Sequence, residues 1–201
     1  MTSESVAPEC SQDARIHERP CRTPAELRDA SVRVIEALEY LHGSYRELER
    51  MNAKHIDGDD PSLVAWDGVL GSWTVNARKL IDFIDGAAHA RRDDILADDF
   101  MADDSDWPTA KRGLHELDEL RQRVGKEIAH LTYPTAPKAE GWGVGTGRRE
   151  LARAMTVFVA HAPPEHLAAD FAARTDAVAE ELVYLHPLND AQPPAPPARR
   201  L

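Results

Sequence analysis

The chain has few of the features that mark a secreted, membrane-spanning or thiol-dependent protein. It has only two cysteines, Cys10 and Cys21, and both precede the first strongly apolar segment. It has no Gly-x-Ser-x-Gly motif and no run of about 18 apolar residues, and no basic start is followed by an apolar stretch. These absences predict a protein of the reducing cytoplasm whose body needs no disulfide framework and uses no cysteine nucleophile.

Basic residues are also scarce. The 201 residues carry 24 Lys and Arg against 35 Asp and Glu, a formal net charge of −11. A chain of this sign repels nucleic acid at long range, so any affinity for RNA must come from local basic patches. The candidates are two groups of three: Arg121, Arg123 and Lys126, and Arg148, Arg149 and Arg153.

The middle of the chain has helical periodicity and its two ends do not. Residues 1–22 and 187–201 are rich in Pro and polar residues and poor in large apolar ones, which predicts a disordered N-terminal arm and a Pro-rich disordered tail. Between them, residues 23–186 predict one all-α domain, a single bundle of about five helices. The helices are predicted over 24–54, 62–84, 109–132, 148–160 and 164–185.

Two short motifs mark helix starts. Thr23-Pro24-Ala25-Glu26 supplies an N-cap, a proline at the first helical position and a glutamate that can close a capping box. The glycine-rich residues 141–147 precede Arg148, and glycines before a helix can bind phosphate on free backbone amides. The segment has no Lys-Ser/Thr ending and no preceding strand, so a flexible connection is the favoured interpretation.

An acidic segment separates the second and third predicted helices. Aspartate pairs at 93/94, 98/99 and 103/104 recur every five residues, a period that matches neither helix nor strand. The spacing also lacks the alternating ligands and terminal glutamate of an EF-hand. We predict a solvated loop or broken helical turns, with a divalent cation or a basic partner protein at 93–106 as the alternative.

The helix predicted over 109–132 carries a polar strip beside its apolar stripe. At about 100° per residue, Arg123, Glu127 and His130 fall within about 60° of one another. Histidine titrates near neutrality and a guanidinium offers paired donors to phosphate, while Glu127 lies one turn from each and could orient both. The strip is therefore the candidate catalytic site.

Arg123, six intervening residues and His130 resemble the arginine-x4-6-histidine motif of HEPN domains, which are all-α modules that include metal-independent RNases of toxin and antiphage systems. The resemblance implies that two chains pair and both motifs line one cleft. His130 would move a proton during attack of a ribose 2′-hydroxyl on the adjacent phosphate, and Arg123 would hold that phosphate, with no cofactor. Val124 stands where the family usually has a polar residue, and the periodicity predicts that it is a core residue.

Other functions stay open. The same strip suits a non-catalytic helical dimer or partner-binding protein, in which it would be a protein contact. Glu127-x-x-His130 and Glu39-x-x-His42 are also the paired half-motifs of di-iron helical bundles, although two further inward glutamates would be needed. Residues 76–84, 92–100 and 128–133 additionally resemble blocks of uncharacterised bacterial proteins, which implies no activity.

Overall fold

The computed structural model describes residues 20–52, 62–86, 90–114, 116–129 and 144–185. Within these ranges the chain forms six α-helices and no strand, which confirms the all-α prediction. The helices are α1 (Pro24–Asn52), α2 (Ser62–Asp85), α3 (Trp107–Arg112), α4 (Glu116–Ala129), α5 (Val144–His161) and α6 (Phe171–Leu185). Among the described helices, none is both long and apolar enough to span a bilayer. The predicted tails lie outside the described residues, apart from residues 20–22.

Helix α1 begins where the sequence predicts. The backbone N–H of Thr23 donates to Glu26 Oε2 at 2.8 Å, and the N–H of Glu26 donates to Thr23 Oγ1 at 3.3 Å. These two bonds close the capping box, and the bonds from Thr23 lower the pKa of the Glu26 carboxyl. Cys21, just ahead of this cap, is disulfide-bonded, which the cysteine usage did not predict.

The core lies between an antiparallel pair, α1 and α2, and the helices α4, α5 and α6 that cover it. Phe158 on α5 is fully buried at its centre. Four aromatic rings meet Phe158 edge to face, with centroids 5.0 to 6.2 Å away: Phe83, Phe100, Trp107 and Phe171. Such edge-to-face contacts stabilise the fold beyond the burial of apolar surface, and they fix the relative positions of the helices that carry the rings.

The first and last helices also lie side by side. Four contacts follow α1 in chain order: Arg28 with Glu165, Ser31 with Ala168, Glu39 with Arg174, and His42 with Glu181. The Ser31 hydroxyl is buried, where it accepts the Ala168 N–H at 2.8 Å and donates to the Arg28 carbonyl at 2.7 Å. α6 therefore runs parallel to α1 and covers its inner face.

The acidic segment forms short turns, as predicted, and its aspartates close those turns. Asp94 accepts the Arg91 N–H at 2.6 Å, and Asp99 accepts the Leu96 N–H at 2.8 Å. In the first two of the three pairs, the second aspartate thus accepts a backbone N–H from three residues earlier. The one short 3-10 turn of the segment spans Ala97–Phe100.

The helix predicted over 109–132 is divided in two, so that prediction was wrong. α3 ends at Arg112, and the N–H groups of Gly113 and Leu114 donate to carbonyls three residues earlier. Leu114 then turns inward and is buried, and α4 begins at Glu116. Trp107 at the start of α3 and Leu114 after the break are both buried in the core.

The start of the next helix was also predicted too late. α5 begins at Val144 rather than at residue 148, so Gly145 and Gly147 are helical. A methyl group at Gly147 would meet Trp73 and Leu120, and one at Gly145 would touch Tyr45. Close packing therefore explains why this helix contains glycines, although glycine has a low helix propensity.

Candidate functional site

Helix α4 carries two of the three residues predicted to be catalytic. Positions 123 and 127 lie within it, but the side chains of Arg123 and Glu127 are outside the described residues, and so is His130. The described part of α4 runs to Ala129, and His130 lies outside the described residues. Val124 is fully buried, so the prediction that it is a core residue is confirmed.

The contacts of α4 orient its faces. Arg121 Nη1 lies 3.2 Å from Asp85 Oδ2 at the end of α2. Leu120 Cδ1 lies 2.8 Å from the place that a Cβ at Gly147 would occupy on α5. At about 100° per residue, positions 123 and 127 fall on the Leu120 side of the buried stripe and Arg121 falls on the other. The flank with positions 123 and 127 is therefore the one next to the start of α5.

The first turns of α5 hold a buried arginine. Arg148 is 2% exposed, and its Cζ lies 3.9 Å from the centroid of the Tyr45 ring. Neither Nε nor Nη1 of Arg148 has a hydrogen-bond partner. Burial lowers the pKa of this guanidinium, while the nearby Tyr45, Glu49 and Glu181 favour its charged form. Stacking on the ring and these two carboxylates stabilise a charge that would otherwise be costly to bury.

Tyr45 links this arginine to a carboxylate. Its hydroxyl donates to Glu49, one turn later on α1. Burial, followed by this bond to Glu49, raises the pKa of Tyr45 to about 12, so the phenol stays neutral at physiological pH. The role of Tyr45 was missed from the sequence, although Glu49 at i+4 was a signal for its polar end.

A second polar group joins α1 to α6 beside this cluster. His42 is buried, and its Nε2 lies 2.6 Å from Glu181 Oε2, while Arg46 Nε lies 3.4 Å from Glu181 Oε1. Burial raises the pKa of Glu181, but the hydrogen bond from His42 and the positive charges of Arg46 and Arg148 outweigh it and lower that pKa overall. His42 Nδ1 is buried without a hydrogen-bond partner. Glu181 was not singled out from the sequence.

The described residues of the predicted basic patches are only partly exposed. Arg121 pairs with Asp85, and Arg148 is buried, so neither offers its guanidinium to solvent. Arg149 and Arg153 are exposed on α5.

Two aspartates of the acidic segment also contact neighbouring side chains. Trp107 Nε1 donates to Asp98 at 2.6 Å, and His161 Nε2 lies 3.0 Å from Asp106.

In the di-iron interpretation, the half-motif of Glu39 and His42 is already engaged in other contacts. Both carboxylate oxygens of Glu39 accept bonds from Arg174, at 2.6 and 2.7 Å, and His42 contacts Glu181. Within the described ranges no cluster of three or more His, Cys, Asp or Glu is arranged to hold a metal ion. The side chains of the other half-motif, Glu127 and His130, lie outside the described residues.

Two grooves indent the surface elsewhere. One, of about 570 Å³, lies between the end of α2, the acidic segment and α3, with Asp85, Asp98 and Lys111 in its wall. The other, of about 500 Å³, lies between α1 and the end of α2, with Arg33 and Lys79 at its rim. Compared with known proteins, the chain matches no family model, no curated protein and no solved structure.

Proposed function

We propose that this chain is an HEPN-like protein that cleaves RNA without a metal ion, as part of a toxin or defence system, through Arg123, Glu127 and His130. The observation that supports the proposal is the placement of positions 123 and 127 on the flank of α4 that borders the start of α5. Exposed Arg149 lies in the first turns of α5 and adds positive charge to this part of the chain.

The chemistry follows from the residue types. His130 would take the proton of a ribose 2′-hydroxyl while the 2′-oxygen bonds to phosphorus and the bond from phosphorus to the 5′-oxygen breaks. The leaving 5′-oxygen gains a proton, and the product keeps a 2′,3′-cyclic phosphate. Arg123 would hold the phosphate through paired N–H donors, and Glu127 would orient the two side chains. No step needs a metal.

The test is cleavage of a mixed-sequence RNA by the full chain in EDTA. Cyclic phosphate ends are expected with wild type and not with His130→Ala, and Arg123→Ala is expected to lose at least about a hundredfold in rate. Arg33→Ala is the matched control, because it removes the same charge from the far part of α1. Cleavage that survives His130→Ala, or that needs added metal, contradicts the proposal.

A non-catalytic helical protein that binds a partner is the second candidate. It is supported by a separate observation, an outward apolar face on α1 and α2 that the chain itself leaves uncovered. This candidate predicts stable self-association or partner binding and no RNA cleavage at any salt or pH. His130→Ala and Arg123→Ala would then change neither.

A further inference from the structure

Exposed apolar side chains concentrate on one outward face of the α1–α2 pair. Val64 is 78% exposed, Tyr40 66% and Val75 48%. A single exposed apolar residue needs no explanation, but a continuous apolar surface on helices commonly marks an interaction site. Ser44 and Ser72 hydrogen-bond across the groove between the two helices at 3.2 Å, which places Tyr40 beside the outer side of α2.

The outer side of α2 has the spacing of a helix-pairing seam. Val64, Gly68, Gly71 and Val75 follow one another at intervals of four, three and four residues. The same spacing aligns the contact positions of paired helices. Nothing lies within 4 Å of the place that a Cβ would take at Gly68 or Gly71. Packing among the described residues therefore gives no reason for these two glycines, which weaken the helix.

We propose that a second copy of this chain docks on this face, with the two α2 helices antiparallel about a twofold axis between positions 71 and 72. In that arrangement Val75 of each copy lies over Gly68 of the other. The absent side chains at Gly68 and Gly71 let the helices approach closely, so each valine fills the space that a glycine leaves. A twofold contact requires a self-complementary surface, and this spacing supplies one.

Charge favours the antiparallel direction. Asp67 and Arg78 are exposed, lie eleven residues apart and are on the same side of the seam. Because an antiparallel twofold pair brings the same flank of both helices together, Asp67 of one copy falls beside Arg78 of the other, twice. Arg78 also contacts Asp82 of its own helix through Nε at 3.0 Å. A parallel twofold pair would instead bring opposite flanks together, so Asp67 and Arg78 of the two copies would not meet.

The proposed contact does not depend on ribonuclease activity. It leaves uncovered the flank of α4 with positions 123 and 127, which borders α5 rather than the outer side of α2. It therefore differs from the pairing that the HEPN resemblance implies, in which the two motifs share a cleft. The two arrangements respond to different substitutions.

Analytical ultracentrifugation of the full chain over a range of micromolar concentrations tests the proposal. Wild type is expected to reach twice the chain mass, and Val75→Glu to raise the dissociation constant by at least about tenfold, because a carboxylate would be buried in an apolar contact. Val32→Glu is the matched control, since Val32 is also an exposed valine but lies on α1 two turns before Tyr40. Circular dichroism checks that both variants fold.

Charge reversal tests the direction of pairing. Asp67→Arg and Arg78→Glu are each expected to weaken the dimer, and the double variant is expected to recover most of the loss, because the opposite charges meet again. A wild-type chain that stays monomeric overturns the proposal. A dimer that Val75→Glu leaves intact also overturns it and favours the shared-cleft arrangement, and a double variant without recovery overturns the antiparallel pairing.

Discussion

Helices α4 and α5 pack closely at Gly147, so Gly147→Ala should destabilise the chain. The new Cβ would lie 2.8 Å from Leu120 Cδ1 and 3.1 Å from Trp73 Cη2. The leucine methyl can rotate away, but the buried Trp73 ring cannot move without disturbing the core. Overpacking of this kind costs about 1–3 kcal/mol, and alanine in a helix returns up to about 1 kcal/mol. The expected net loss is about 1–2 kcal/mol.

Gly43→Ala is the matched control, because Gly43 is in the middle of α1 and a Cβ there would meet nothing within 4 Å. It should gain about 0.5–1 kcal/mol from helix propensity alone. At about 2–4 °C per kcal/mol, the melting temperatures of the two variants should differ by roughly 3–12 °C. Thermal and urea unfolding followed by circular dichroism measure this. If Gly147→Ala were as stabilising as Gly43→Ala, the close α4–α5 contact would be refuted.

Three other substitutions test the core and the polar cluster. Phe158→Ala should cost about 3–5 kcal/mol in urea unfolding, since the ring is fully buried among four aromatic neighbours, and a loss below about 1 kcal/mol would contradict that packing. The pKa of Glu181 is lowered, so this carboxylate stabilises the fold above the ordinary value of 4.5, and that stabilisation is lost as the pH falls through the lower pKa of the folded state. The melting temperature of Glu181→Gln should therefore change less over that pH interval than the melting temperature of wild type. Tyrosinate absorbance should show one group titrating near pH 12 that Tyr45→Phe removes, and titration of every tyrosine near pH 10 would argue against its burial.

Helices governed by local signals were predicted well. The capping box at Thr23 and Glu26 fixed the start of α1, and its periodicity extended to within two residues of the observed end at Asn52. α2 was predicted over 62–84 and ends at Asp85. In both helices the apolar spacing and the flanking turn residues agree, so sequence neighbours alone determine the element.

Elements governed by distant packing were predicted poorly. Trp107, before the break after Arg112, packs on the distant Phe158 of α5, although two basic residues followed by Gly113 were a helix-end signal in the sequence. The start of α5 depends on Trp73, Tyr45 and Leu120, which lie far away in the chain.

The same limit applies to the candidate site. Charge alone predicted Arg148 as a surface residue, because no local feature shows that it stacks on Tyr45. The assignment of roles to Arg123, Glu127 and His130 rests on spacing and resemblance and stays a prediction.

The contacts between α1 and α6 bear on the order in which the chain folds. Ser31 and Ala168 are 137 residues apart, and so are Arg28 and Glu165, whereas α1 and α2 are neighbours in the chain. Contacts that close a long stretch of chain carry a large entropic cost and form late. α6 should therefore dock last during folding and detach first in native-state hydrogen exchange, so the covering of His42 and of the inner face of α1 is the final step that completes the bundle.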